Sequence, residues 1–161
     1  MASEWLEGAE NLHLYGWRLA ERVPEERFVL ARRCLVRLGE LIGRMHGWEV
    51  SHRDLKAVNL AVVEHARHTE VYLLDLDGVR LARRLSDSTR VRNLARIAVS
   101  LRLHPWVSRT LALRFLLTYL QAIHPQSRRV RRTSWKPLWR DVARASRRMV
   151  AQRERRGRMV A

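Results

Sequence analysis

The sequence is poor in the residues that cross-link small folds or interrupt regular structure. It holds one cysteine, four prolines and seven glycines in 161 residues, which excludes an internal disulfide and a Pro/Gly-rich low-complexity chain. Cys34 lies within an apolar-periodic run, so we predict a buried structural thiol in a reducing cytoplasm. The most apolar stretch, residues 111–123, is interrupted by Arg114 and is too short to span a bilayer. The N-terminal residues lack the apolar core of a signal peptide, so we expect a protein that is soluble or peripheral to a membrane.

Acidic residues are also scarce relative to basic ones. The chain has 32 Lys and Arg against 16 Asp and Glu, a net charge of +16. Residues 127–161 carry +11 of this excess and residues 1–126 carry +5. Such a basic segment favours polyanionic partners, namely anionic lipid head groups, phosphorylated glycans or nucleic acid. We therefore divide the chain into a domain of residues 1–126 and a basic amphipathic tail of residues 127–161.

The hydrophobic pattern predicts helices around a small antiparallel sheet, which is an α+β fold. An extended entry is expected over residues 4–14. A long helix is expected to begin at Pro24 and end at Gly47, because proline suits a first helical turn and glycine a helix end. The remaining predicted elements are strands at 49–51, 59–63 and 71–76 with a hairpin turn at 65–68, a helix capped near Ser86, a helix at 107–123, and a basic helix from about Trp135.

The strongest local motif is HRDLKAVN over residues 52–59. In this pattern an aspartate, Asp54, can accept the proton of a substrate hydroxyl during phosphoryl transfer. Lys56, two residues later, can neutralise charge on the transferred phosphoryl group. Asn59 can bind a metal ion that bridges phosphates. The motif therefore predicts a phosphotransferase with Asp54 and Lys56 as catalytic residues.

A second acidic motif, VYLLDLDG, follows over residues 71–78. An apolar run ends directly before Asp75, so its carboxylate is expected at the rigid edge of a strand. Carboxylate and phosphate oxygens are the ligands that Mg²⁺ prefers. Asp77 competes for the same role, and we favour Asp75 because Asp77 lies one step further into the loop. We thus predict Asn59 and Asp75 as metal ligands, and Lys56, Asn59 and Asp75 as the contacts of Mg²⁺ and ATP.

These motifs resemble the catalytic loop and the Asp-Phe-Gly motif of protein-kinase-like enzymes, and most closely those of the lipopolysaccharide core kinase (Kdo/WaaP) family. DLDGVR at residues 75–80 and RNLARIAVSL at residues 92–101 are similar to two further motifs of that family. The resemblance covers residues 4–122. It implies a kinase-like C-terminal lobe (C-lobe), mainly helical, in which a small antiparallel sheet carries the catalytic loop, with activity toward a sugar hydroxyl of a glycolipid.

The sequence also carries information about which acceptor the protein uses and how well it binds the nucleotide. About a dozen residues separate Asp75 from the helix near Ser88, which is too short for the peptide-binding activation segment of protein kinases and favours a sugar or other small acceptor. The N-terminal lobe (N-lobe) is expected to be absent, because no Gly-x-Gly-x-x-Gly occurs and the only lysines are Lys56 and Lys136. Residues 4–9 resemble the interlobe hinge. We therefore expect weak ATP binding by this chain alone, and a separate N-lobe or upstream segment as a partner.

Several alternatives stay open at this stage. The chain could be an inactive pseudokinase or a basic module that binds membranes or nucleic acid. In the tail, the apolar residues around Trp135 and Trp139 suit either a helix packed on the C-lobe or an interfacial helix on the inner face of the cytoplasmic membrane. Nucleic acid is the less favoured partner, because no reader motif occurs. The histidines outside the motif show no metal-ligand spacing, so solvated or core roles are expected.

Overall fold

The structure is a computed structural model that describes residues 6–157, apart from the side chains of residues 128–132. In chain order, its helices and strands are β1 (Glu10–Asn11), α1 (Leu12–Ala20), α2 (Pro24–Gly47), β2 (Val50–His52), β3 (Leu60–Glu64), β4 (Thr69–Leu73), β5 (Val79–Leu81), α3 (Asp87–Ser100), α4 (Arg109–Ile123) and α5 (Arg128–Arg155). Short 3₁₀ turns occupy Ala57–Asn59, Leu76–Gly78 and Leu101–Leu103.

Two small antiparallel sheets hold the loops between helices α2 and α3. The order of the first sheet is β1-β3-β4, and β2 pairs with β5 in the second. In the first sheet, Leu60 lies opposite Leu73 and Glu64 opposite Thr69, so the β3–β4 hairpin turns at residues 65–68 as expected. In the second sheet, His52 lies opposite Val79. The loops that carry the two sequence motifs therefore leave neighbouring strand ends.

Helices α2 and α4 pack closely because glycines stand at their contact. A Cβ atom at Gly39 would lie 2.8 Å from the Phe115 carbonyl oxygen, and one at Gly43 would lie 2.5 Å from the Ala122 Cβ. The apolar stripe of α2 forms part of the hydrophobic core of the protein. Its members include Leu35, Leu38 and Ile42, joined by Cys34, which is buried as predicted. Burial raises the pKa of the Cys34 thiol to about 12, as expected of an unreactive structural cysteine.

Helix α5 lies against α3 and α4. Its half-buried Trp135, Leu138, Trp139 and Val142 pack on the main core, whereas Arg140 and its basic neighbours are exposed. The aromatic residues of the tail therefore contact the protein itself. Among residues 6–157, no helix is both long enough and apolar enough to cross a bilayer.

Several sequence-based predictions of secondary structure are wrong in detail. The expected extended entry instead contains α1, whose N-terminus is capped where the Asn11 side chain accepts a hydrogen bond from the Leu14 amide at 2.9 Å. Strand β5 was not expected. Helix α5 begins at Arg128 rather than near Trp135, so that Pro137 lies inside it.

The strand predicted at residues 71–76 lies nearer the N-terminus in the structure. It is β4, which ends at Leu73, two residues before Asp75. The hinge expected at residues 4–9 lies partly outside the described residues.

Candidate active site

The catalytic-loop motif forms a compact polar cluster between β2 and β3. The Lys56 Nζ lies 2.8 Å from Asp54 Oδ2. The Asn59 Nδ2 donates to the Asp54 carbonyl oxygen at 2.8 Å and to Asp54 Oδ2 at 3.2 Å. A 3₁₀ turn, closed by the Asn59 amide donating to the Lys56 carbonyl at 3.0 Å, brings these residues together. Three of the four predicted site residues thus contact one another directly.

The electrostatic environment keeps Asp54 ionised. Partial burial alone would raise the pKa of its carboxyl, but the hydrogen bond and charge of Lys56 outweigh burial, helped by Asn59 and by the positive charge of Arg96. The pKa therefore lies below its ordinary value. An ionised, half-exposed carboxylate can accept a hydrogen bond from a hydroxyl brought to it from solvent.

Asp75 is brought next to this cluster by a backbone hydrogen bond of its neighbour Leu74, and not by a contact of its own side chain. The Leu74 amide donates to the Asn59 carbonyl at 2.9 Å, which brings the loop after β4 alongside the end of the catalytic loop. Asp75 itself adopts a left-handed conformation, with φ 54° and ψ 62°. Such a conformation is uncommon outside glycine but is tolerated by aspartate. It ends the extended chain and starts the 3₁₀ turn Leu76–Gly78, and the Asp75 and Asp77 side chains are both exposed.

His52 joins the two motif loops from beneath. The Asp54 amide donates to His52 Nδ1 at 3.2 Å, so Nδ1 is an acceptor and the proton lies on Nε2. The Nε2 proton is donated to the Asp75 carbonyl oxygen at 2.8 Å. The ring is fully buried, so it anchors both loops and cannot reach a substrate. The histidine of the motif therefore has a packing and anchoring role.

Gly78 leaves the space that the His52 ring needs. A Cβ atom at Gly78 would lie 2.6 Å from His52 Cε1. The Gly78 carbonyl also accepts a hydrogen bond from the Arg53 amide at 2.7 Å. Any larger side chain at this position would displace the ring that orients the carbonyl of Asp75.

Helix α3 anchors the catalytic loop through Asn93, for which the sequence suggested no specific role. Asn93 Nδ2 donates to the His52 carbonyl at 3.1 Å, and its Oδ1 accepts from the His52 amide at 3.2 Å. His46 Nε2 donates to the same Oδ1 at 3.1 Å, and the Tyr119 hydroxyl lies 2.9 Å from His46 Nδ1. Burial lowers the pKa of His46 to about 4. The loop is therefore attached to helices α2, α3 and α4 by one buried hydrogen-bond network.

Two further α3 residues act near the loop and were also missed. The Ser100 hydroxyl accepts a hydrogen bond from the Ala57 amide at 3.1 Å. Arg96 lies close enough to Asp54 to lower the pKa of that carboxyl. Burial lowers the pKa of Arg96 itself, and so do the charges of Arg92 and Arg153. Only their place in the RNLARIAVSL motif could have pointed to Ser100 and Arg96.

The residues predicted to bind metal offer suitable atoms. Because Asn59 Nδ2 is used as a donor to Asp54, the amide oxygen is left as the ligand atom of this side chain. The exposed Asp75 carboxylate supplies hard oxygen atoms from the neighbouring loop. An amide and a carboxylate oxygen fit Mg²⁺, which usually keeps several waters and is held by few protein ligands. Asp77 offers the same chemistry.

Known proteins resemble this chain in sequence and in fold. The sequence model of the lipopolysaccharide kinase (Kdo/WaaP) family matches residues 2–119, and no curated protein matches the chain. Among solved structures, the fold is similar to that of WaaP in complex with acyl carrier protein, with a TM-score of 0.67 at 20% sequence identity.

That match covers 89% of this chain and 58% of the WaaP chain, so the present chain spans little more than half the length of that protein. The likeness confirms the predicted protein-kinase-like fold, and its coverage is consistent with the predicted C-lobe. The family match, over well more than half of the sequence, confirms the resemblance suggested by the motifs. The chain belongs to the lipopolysaccharide kinase (Kdo/WaaP) family.

Proposed function

We propose that this chain is the C-lobe part of an ATP-dependent kinase that transfers the γ-phosphate to a sugar hydroxyl of a glycolipid. The observation that carries the proposal is the Asp54 cluster. The ionised Asp54 carboxylate lies 2.8 Å from the Lys56 ammonium group and 3.2 Å from the Asn59 side-chain amide. Their loop is anchored by a buried network, so the geometry is preorganised.

Each residue of the cluster has a separate role. Asp54 orients the acceptor hydroxyl and takes its proton as the bond to phosphorus forms. Lys56 is already within contact distance of Asp54, so it can place its positive charge beside the transferred phosphoryl group. Asn59 keeps the carboxylate in place through its Nδ2 donor. Arg96 adds positive charge on the α3 side of the same carboxylate.

Asn59 and Asp75 are the residues that would hold Mg²⁺, with the Asp75 loop fixed by His52. When bound, Mg²⁺-ATP supplies the phosphoryl group and the charge that neutralises its oxygens. Val58, Leu74 and Leu76 are exposed apolar side chains on the two motif loops. Such a surface suits cover by an N-lobe or an upstream segment, which we propose as the remaining partner in nucleotide binding.

The acceptor is proposed to be a small hydroxyl compound. Only eleven residues separate Asp75 from the start of α3 at Asp87, and part of that segment is strand β5. Such a segment is too short to form a peptide platform. The family adds the finer expectation of a lipopolysaccharide sugar. An inactive pseudokinase is the alternative, and the intact Asp54, Lys56 and Asn59 geometry favours catalysis over it.

We further propose that the protein works in the cytoplasm at an anionic membrane surface. Helix α5 exposes Arg140, Arg144, Arg147 and Arg148, and each basic residue near such a surface contributes about 1 kcal/mol. Because the tryptophans of the helix pack on the core, the attraction would be electrostatic, without inserted aromatic side chains. Binding to anionic liposomes should therefore fall steeply as salt is raised. If anionic liposomes did not retain the chain at low salt, the proposed membrane binding would be contradicted.

The kinase proposal is tested by measuring Mg²⁺-ATP binding and phosphate transfer to lipopolysaccharide core sugars, with the chain alone and with an N-lobe of the family added. We expect Asp54→Asn to abolish transfer while preserving nucleotide binding, because it removes the proton acceptor only. Asp75→Asn should weaken Mg²⁺-ATP binding, and the matched Asp77→Asn change should not. Absence of Mg²⁺-ATP binding even with the N-lobe present would refute the proposal and favour the pseudokinase.

A further inference from the structure

The turn of the β3–β4 hairpin gathers two histidines and a glutamate that the proposed kinase chemistry does not use. His65 Nε2 lies 3.2 Å from Glu70 Oε2, and His68 Nε2 lies 4.0 Å from Glu70 Oε1. One ligand atom from each of these residues lies within 4.8 Å of the other two. The imidazole rings stack with their centroids 4.2 Å apart and their planes at 14°. Three nitrogen and oxygen atoms at the surface therefore lie close enough together to bind one ion.

The backbone under this cluster is well anchored. The His65 amide donates to the His68 carbonyl at 2.9 Å and closes the turn. Arg33 of α2 donates to the Ala66 carbonyl at 3.3 Å and ties the turn to the body of the protein. Thr69, between His68 and Glu70, is buried. The donors therefore project from a turn whose position is determined by neighbouring elements.

The carboxylate is also oriented by a group outside the cluster. The Tyr72 hydroxyl donates to Glu70 Oε2 at 2.8 Å. Metal-binding side chains are commonly held in this way by a neighbouring hydrogen bond. An ordinary surface ion pair contributes little to stability and needs neither a second imidazole nor a tyrosine. Two imidazoles beside an oriented carboxylate are well suited to binding a metal ion.

We propose that His65, His68 and Glu70 form a binding site for a divalent transition metal ion, with Zn²⁺ as its representative. Two imidazoles and one carboxylate suit Zn²⁺, Ni²⁺ or Cu²⁺, whereas Mg²⁺ prefers oxygen ligands alone. Three protein ligands on an exposed turn leave coordination positions open to water or to another molecule. The sequence pattern did not reveal this site, because His65 reaches Glu70 only when the turn brings the ends of β3 and β4 together.

The site is separate from the proposed Mg²⁺ site. Asn59 precedes β3, and His65 follows it. Six residue steps at about 3.3 Å each place Asn59 and His65 about 20 Å apart along the strand. Binding at the turn therefore does not depend on the kinase proposal, and failure of one leaves the other intact.

The test is titration of the metal-free full chain with Zn²⁺ by calorimetry, together with thermal unfolding with and without Zn²⁺. We expect one site and a higher melting temperature with Zn²⁺. His65→Ala, His68→Ala and Glu70→Gln should each weaken binding at least tenfold and abolish the shift in melting temperature. Tyr72→Phe should weaken binding about tenfold or more, because it removes only the orienting hydroxyl.

Two matched controls keep the test specific. Arg67→Ala changes an exposed residue of the same turn that offers no metal ligand, so Zn²⁺ affinity should be retained. Asp75→Asn alters the proposed Mg²⁺ site and should also leave Zn²⁺ binding unchanged. Zn²⁺ binding weaker than millimolar, or equal affinity in the wild type and in His68→Ala, would overturn the proposal.

Discussion

At the scale of single residues, the proposed chemistry depends on how a few polar groups are placed. Asp54 is kept ionised by Lys56, although burial alone would favour its neutral form. Beneath the site, the His52 ring contacts backbone groups of both motif loops, whereas the His46 ring contacts the side chains of Asn93 and Tyr119. Burial lowers the pKa of His46 to about 4 and so favours its neutral form. The charged carboxylate therefore faces the site, and the buried imidazoles beneath it hold the surrounding groups in place.

We predict that Lys56→Met raises the pKa of Asp54. The change removes the hydrogen bond and positive charge that hold the pKa below its ordinary value. Measured by NMR titration of the side-chain carboxyl carbon, the midpoint should move to higher pH. Lys136→Met, which removes the other lysine of the chain, is the matched control and should leave the midpoint in place. An unchanged midpoint in Lys56→Met would show that the ion pair is not formed in solution.

We predict that acidification destabilises the protein partly through His46. In the unfolded chain its pKa is about 6.5, and burial lowers the pKa to about 4 in the fold. Between these values the unfolded state binds the proton and the folded state does not, so the stability contributed by a neutral His46 falls as pH falls from 6.5 toward 4. From pH 7 to pH 5 the loss should be about 2 kcal/mol.

Urea unfolding at the two pH values measures this loss. His104, whose pKa burial also lowers, adds a similar trend, so the informative quantity is the difference between the wild type and His46→Gln. The variant should lose less stability on acidification. Equal losses in both proteins would show that His46 is not the group responsible.

At the scale of secondary-structure elements, the site depends on how closely the helices approach one another. Helix α3 presents Asn93 and Ser100 to the catalytic loop, and α2 and α4 complete the buried network through His46 and Tyr119. Close packing of α2 on α4 is therefore part of the support of the site. The glycines of α2 make that packing sterically feasible.

We predict that Gly43→Ala destabilises the fold by about 1–3 kcal/mol, because the new methyl group has no space between α2 and α4. Its Cβ would lie 2.5 Å from the Ala122 Cβ and 2.7 Å from the Tyr119 carbonyl oxygen. Gly47→Ala, in the same helix, has no atom within 4 Å of the new Cβ. It should be neutral or stabilising by about 0.5 kcal/mol. Urea unfolding of both variants provides the comparison, and equal stabilities would refute close contact of the helices.

At the scale of the whole molecule, charge and apolar packing are divided between the two faces of α5. The apolar face joins the core and the basic face is exposed. The division of the chain at residue 126 was predicted from its charge distribution and remains a prediction. In the structure, α5 packs against the rest of the protein. The tail therefore combines a structural role with a surface suited to anions.

We predict that Trp139→Ala lowers the free energy of unfolding by about 2 kcal/mol, less than for a fully buried tryptophan because the ring is half-buried. Arg140→Ala, at the next and exposed position, should change stability by less than about 0.5 kcal/mol. Urea unfolding of both variants decides between the two interpretations of the tail. If Trp139→Ala were as stable as Arg140→Ala, the aromatic face would be free to enter a membrane interface.

Elements with strong local signals could be predicted from the sequence. Pro24 and Gly47 set the limits of α2, and Ser86 caps α3 through its side chain, because these signals act within one turn of helix. The HRDLKAVN motif likewise brought Asp54, Lys56 and Asn59 together without long-range information. Helix α1 was missed because Gly16 is a poor helix former. The reason for a glycine at position 16 is visible only in the fold, where a Cβ atom on this residue would lie 2.6 Å from the His104 ring.

What the sequence by itself determined was the family, the catalytic loop and the charge asymmetry, since each depends on residues that are close along the chain. Tertiary structure decided the supports of the site: Asn93 beneath His52, and Gly78 beside the His52 ring. It also decided that Glu70 meets His65 and His68 across a hairpin. The contacts of Asn93 and Gly78 depend on which distant segments pack together, and that is set by burial of apolar surface over the whole chain rather than by any local pattern. The contact of Glu70 with His65 depends instead on how the hairpin turn pairs β3 with β4.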